Sequence, residues 1–193
     1  MLTTPKDDLP KEIALPLGKV HLHEKVPRDV IDALSDNEHA PKTIAQLRAH
    51  PQLSATRTEE IIETMILMVG AGYASTAQVP TPEITARCRK LNHHVCERAL
   101  LVREIEYLVS PITGGAIKVP HICLLFLNAI EDGHDTAQAL TLYVWEFLQG
   151  IGEKMRKNGK PLESREDNLA SIEPLAQRFL ASTMPMLKTL QAI

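Results

Sequence analysis

TRTEEIIETMILMVGAG, residues 56–72, is the stretch from which the fold is read. Thr56 followed three positions later by Glu59 has the form of a capping box, with the hydroxyl accepting from a backbone N–H and the carboxylate reaching back. Ile61, Ile62, Met65, Ile66 and Val69 then recur at helical spacing and make a wide apolar stripe. Gly70 and Gly72 close the segment, because glycine takes the left-handed turn that lets the last carbonyls find partners. Upstream, Ile44, Leu47 and Arg48 mark a short helix closed by Pro51. Val30, Ile31 and Leu34 mark another, opened by Pro27 where a first helical residue can lack its N–H and followed by the polar turn Ser35–Pro41. Val20 and Leu22 alternate with His21 and His23, as in a strand with one buried face. Met1–Gly18, with Pro5, Pro10 and Pro16 among charges, reads as an irregular lead-in arm. Downstream, Tyr73–Val79 alternates weakly, as a strand would. Strand, three helices and strand is the pattern of a winged-helix-like module, assigned to residues 1–80.

Residues 81–193 read as an α-rich module with a small β-hairpin. Thr81-Pro82 is a cap followed by proline at the first helical position, opening a long helix expected to run to Arg103. Ile105–Val109 and Ala116–Val119 are β-prone, and Ser110-Pro-Ile-Thr-Gly-Gly115 between them is a turn. Helices are expected from Pro120 to Gly133, from an Asp135/Gln138 cap with Leu140, Val144, Phe147, Leu148 and Ile151 facing inward, and from a Ser164 cap onward. Asn158-Gly-Lys-Pro161 is a turn, and Pro185 is expected to break the last helix. The fold class is mostly α with short β-strands.

Composition narrows the chemistry. The chain has 193 residues, 44% apolar and 23% charged, enough to bury a core. No apolar run reaches the ~18–20 residues of a membrane span, and the charged first twenty residues do not resemble a signal peptide. Three cysteines without C-x-x-C spacing suit a reducing, cytoplasmic setting. Gly70-Ala-Gly72 and Gly150-Ile-Gly152 lack the strand-then-helix setting of a nucleotide or adenosylmethionine loop, so no cofactor is assigned to this segment. His21 with His23 and the adjacent His93 and His94 do not supply the three or four ligands of a zinc site, and no metal is assigned. Ser110 lacks the G-x-S-x-G setting of a nucleophile, and no catalytic residue is assigned.

A winged helix invites a test for DNA binding. Arg57–Val69 holds one basic residue against three acidic ones, and residues 1–79 hold eight basic against eleven acidic. A helix entering the major groove approaches phosphates on both sides, so this charge opposes the reading. A transcriptional regulator is therefore the alternative and nucleic acid the disfavoured partner. Only Arg87–Arg103 is locally basic.

The order Leu91-Asn92, Leu108-Val-Ser-Pro-Ile-Thr-Gly-Gly115 and Leu125-Phe-Leu127 resembles the C-terminal region of bacterial S-adenosylmethionine-dependent methyltransferases that carry a methyltransferase regulatory domain, protein-lysine methyltransferases among them. Trp145–Gly152, Lys157-Asn-Gly-Lys-Pro-Leu162 and Glu166-Asp-Asn-Leu169 look like the same region continuing, so the likeness covers residues 20–193. The family's catalytic domain and most of its middle regulatory segment have no counterpart here. The chain is then read as a piece of a longer polypeptide or a stand-alone product of the same tail. The resemblance implies an accessory role: regulating a methyltransferase domain or presenting a protein substrate to it, with S-adenosylmethionine held elsewhere. Candidate partner-binding residues are Ser110, Thr113, Gly114 and Gly115 in the turn, where small residues let another backbone approach. Arg87, Arg89, Lys90 and Arg98 join them as complements to an acidic surface.

Overall fold

The structure, a computed structural model, describes residues 1–15 and 18–193. It is mostly α-helical with short antiparallel strand pairs, as the apolar periodicity predicts. Strands β1 (Glu12–Leu15) and β2 (Gly18–His21) pair antiparallel, with Ile13 opposite Val20. Part of the expected lead-in arm is thus ordered: Met1 and Leu2 are buried, and a 3₁₀ turn spans Lys6–Asp8. Pro16 lies outside the described residues. Helices α1 (Lys25–Ser35), α2 (Ile44–Arg48) and α3 (Thr58–Gly70) pack on one another. Their core holds Leu2, Ile13, Val30, Leu34, Leu47, Leu53, Ile61 and Met68.

Three expectations for this half need correction. Pro27 lies in the third position of α1, behind the Glu24 cap. The expected Thr56/Glu59 capping box does not form: the cap is Arg57, whose side chain has no acceptor. Only the carboxylate half is made, with Glu60 Oε2 accepting from the Arg57 backbone N–H at 3.1 Å, while Thr56 is buried. The Tyr73–Val79 strand reduces to one antiparallel bridge between Ala74 and Leu2. The Met1 amino group donates to the Ser75 carbonyl at 3.0 Å, so the first residues occupy the place a longer pairing would need.

The second half has its own core. Helix α4 (Pro82–Ala99) is capped by Thr81, whose Oγ1 accepts from Ile84 N at 3.3 Å. It stops four residues short of Arg103. Strands β3 (Tyr107–Ser110) and β4 (Gly115–Lys118) pair with Tyr107 opposite Lys118. Helices α5 (His121–Glu131), α6 (Ala137–Gly150) and α7 (Arg165–Arg178) follow, α7 capped by Ser164 as expected. Thr136, not Asp135, caps α6, accepting from Ala139 N at 3.2 Å, and Ile151 past its end is exposed. Strands β5 (Arg156–Lys157) and β6 (Lys160–Pro161) flank Asn158 and Gly159 at φ 53° and 79°, the paired positive dihedrals of a primed hairpin turn.

Pro185 does not end the last helix. A π turn over Phe179–Thr183 joins α7 to α8 (Met184–Thr189), leaving Pro185 in the first turn of α8, where a missing N–H costs little. Phe126 and Phe179, with ring centroids 5.3 Å apart, anchor this core. Met1 belongs to it as well, although Leu2 sits in the first core. None of the helices among the described residues is long and apolar enough to cross a membrane.

Candidate functional site

The β3–β4 hairpin is tied to three distant parts of the chain, at Gln78, Asn92 and Leu190. Asn92 on α4 is 2% exposed and meets three backbone groups. Its Nδ2 donates to the Val109 and Ala192 carbonyls at 2.7 and 2.8 Å, and its Oδ1 accepts from Val109 N at 2.8 Å. Ser110 Oγ donates to the Leu190 carbonyl at 2.7 Å and is buried. Its hydroxyl ties the chain at Leu190 to the hairpin. Gln78 crosses the turn from outside: its backbone N donates to Ile112 O at 2.8 Å and its Nε2 to Pro111 O at 3.1 Å. Thr113 turns its hydroxyl toward Ser110 O and Gly115 O. Gly114 needs its freedom, with φ 68° and a Cβ position 3.0 Å from Gln78 Nε2, whereas nothing lies within 4 Å of a Cβ on Gly115. The turn is strapped rather than projecting.

The four basic candidates do not form one patch. At ~100° per residue, Arg87 and Arg98 share the α4 flank of Ile84 and Leu91, Arg89 takes the opposite flank with His93, and Lys90 points outward between them. Arg98 also lies about 16 Å along the axis from Arg87. Arg87 alone of the four borders the cleft of about 410 Å³ between α4 and the turn. The α4 wall of that cleft is Ile84, Cys88 and Leu91, with Ile84 and Leu91 exposed, and Ser110, Gly114 and Gly115 stand opposite. It is a shallow apolar slot with a cation at its rim.

Two further groups of candidates serve the fold. His93 Nδ1 lies 2.9 Å from Glu131 Oε2, linking α4 to α5. Hydrogen bonding to Glu131 and its charge hold the imidazole above the ordinary histidine range. Burial pushes the Cys96 and Cys123 thiols up to about 12, far from the range of a working nucleophile. Gly70 and Gly150 are the last residues of α3 and α6, and Gly72 and Gly152 follow at φ 79° and 72°. Both glycine pairs therefore sit at carbonyl ends of helices, the electrostatic opposite of a phosphate cradle.

A second apolar feature lies along α3. The α3 stripe does not all face inward: Ile61 and Met68 are buried, but Ile62, Ile66 and Val69 are 40%, 65% and 41% exposed. With Met65, Ile44 and Lys42 they line a groove of about 850 Å³. The signal was the width of the stripe. From Met68 round to Ile66 it covers about 160° of the helix, more than the ~100° face a surface helix needs for its core.

Comparison with known proteins adds one relationship. A segment of sll1526, an uncharacterized protein of Synechocystis sp., is 30% identical over 195 aligned positions, which take in 98% of this chain and 36% of that protein. The chain thus spans about a third of the length of the curated relative it matches. No family profile matches the chain, and no solved structure does.

Proposed function

We propose that this chain is a non-catalytic regulatory or substrate-recognition unit of an S-adenosylmethionine-dependent protein methyltransferase, with methyl transfer carried out by a separate catalytic domain. The observation that carries the reading is the cleft between α4 and the β3–β4 turn. Its exposed Ile84 and Leu91, beside Arg87, suit an extended peptide with an apolar side chain and a neighbouring carboxylate. The residues of the methyltransferase-like resemblance also border or support this cleft: Asn92 from below, Ser110 and the two glycines along its edge. The length of the Synechocystis protein outside the matched segment gives room for a catalytic domain in that relative. A DNA-reading role is the weaker alternative, because the exposed face of α3 is apolar and flanked by Glu59 and Glu63.

Calorimetric titration with S-adenosylmethionine tests the proposal. The full-length Synechocystis relative is expected to bind it one to one and the 193-residue chain not to bind it. In the relative, reversing the charge at the position aligned with Arg87 is expected to lower methylation of a protein substrate while leaving methyl-donor binding unchanged. Stoichiometric capture of the donor by the 193-residue chain, or its absence from the relative, overturns the reading.

A further inference from the structure

We infer that the exposed face of α3 is the interface of a homodimer, in which the α3 ridge of each copy seats in the α3 groove of the other. This stands apart from the methyltransferase reading and uses none of the α4 cleft. Four of the chain's exposed large apolar side chains, Ile44, Ile62, Ile66 and Val69, converge on this one groove rather than scattering over the surface. An isologous contact requires a surface that complements itself, and this one carries both parts. Ile66, at 65% exposure, is the crest of a ridge, and the groove lies beside it between α3 and residues 41–44 and 75–77.

Charge selects the arrangement. Going round α3 at ~100° per residue, Met65, Val69 and Ile62 face the groove, Ile66 caps the ridge, and Glu59 and Glu63 lie just past it on the far side. Lys42 stands on the opposite rim of the groove and is the sole charged side chain lining it among the described residues. Its Nζ donates to the Asp36 carbonyl, and burial holds its ammonium below the ordinary lysine range, so an added carboxylate would be favourable. A twofold axis across the helices would stack ridge on ridge and Glu63 on its own copy. A twofold axis running along α3 places each ridge over the other copy's groove and carries the acidic Glu59–Glu63 edge to the side of the groove on which the partner's Lys42 stands. The two α3 helices then run near parallel, and the pairing matches both shape and charge.

Sedimentation equilibrium of the 193-residue chain from micromolar to millimolar concentration tests this. The expected result is a reversible dimer. Ile66→Asp is expected to weaken it ~30-fold or more, the weight of a central interface residue, with an unchanged far-UV CD spectrum because the side chain is exposed. Lys42→Glu is expected to weaken it too, and Lys42→Glu combined with Glu59→Lys and Glu63→Lys to restore it. A monomer at every concentration, a dimer indifferent to Ile66→Asp, or a charge exchange that fails to restore pairing overturns the inference.

Discussion

Asn92 occupies a position that leucine could fill by volume and could not serve. Its three hydrogen bonds join α4, β3 and the residues around Ala192, with the Asn92 side chain itself almost wholly buried. Asn92→Leu strands a buried N–H and two carbonyls, and each unsatisfied buried group costs about 1–3 kcal/mol. Urea unfolding is therefore expected to lose several kcal/mol with an unchanged m-value, and a loss under 1 kcal/mol would refute the pin. Asn168 is a second such pin, accepting from Met155 N and donating to Leu162 O and Ser164 O. Asn92 and Asn168 both belong to the methyltransferase-like resemblance, and both side chains hold the fold together. Gly114 and Gly115 separate two reasons for a glycine. Gly114→Ala forces a side chain into φ 68°, a cost of about 1 kcal/mol or more, while Gly115→Ala meets nothing within 4 Å and is expected to be nearly neutral. Thiol labelling is predictable at the same scale. Half-buried Cys88 reacts in the native protein, and Cys96 and Cys123, buried and pushed up to about 12, react once it unfolds.

Between elements, the α4–α5 contact carries a pH signature. The folded imidazole of His93 titrates above the ~6.5 of an unfolded histidine, because Glu131 accepts its hydrogen bond and faces it with negative charge. The contribution to stability is then complete below the unfolded value and fades as pH rises through the folded one. An NMR titration of the ring protons is expected to show the raised midpoint in the native protein, and Glu131→Gln to bring it down. The hairpins and two helix caps were legible in the sequence because their causes are local, while the caps of α3 and α6 and the end of α4 lie one to four residues from where the sequence puts them. Thr81-Pro82 and Ser164 cap as read, and Asn158-Gly159 turns as read. What the sequence hid is how each helix rotates against its neighbours. The α3 stripe is wide enough to be buried on either edge, and only packing against α1 and α2 decides that Ile61 and Met68 go in while Ile62 and Ile66 stay out. The candidate site was legible in part. The turn's position was read, but its strapping by Gln78 and Leu190 depends on contacts 33 and 80 residues apart in sequence, beyond any local pattern.

Across the whole molecule, two apolar cores are joined by few but well-spread contacts. Leu2 lies in one core and Met1 in the other. Thr189 Oγ1 donates to the Glu38 carbonyl at 2.7 Å, and Arg178 pairs with Asp8 at 2.8 Å. Between them the halves leave a cleft of about 380 Å³ lined by Tyr73, Pro120, Cys123 and Phe179. The segment that connects them is open to attack: residues 76–80 have no regular structure, and Val79 is 97% exposed. Brief elastase treatment is therefore expected to cut there first, after exposed Ala77, since Pro80 blocks cleavage after Val79 and exposed segments with small side chains are the preferred sites of nicking. The cut chain is expected to elute from a sizing column as one particle, because Met1 stays lodged in the second core and the Thr189 and Arg178 bonds do not involve the linker. Arg178→Ala with Thr189→Val removes two of those ties, exposed contacts worth up to about 1 kcal/mol each, and is expected to weaken the association of the nicked halves. Separation of the unmutated halves on nicking would mean that the linker, and not the interface, holds the two cores together.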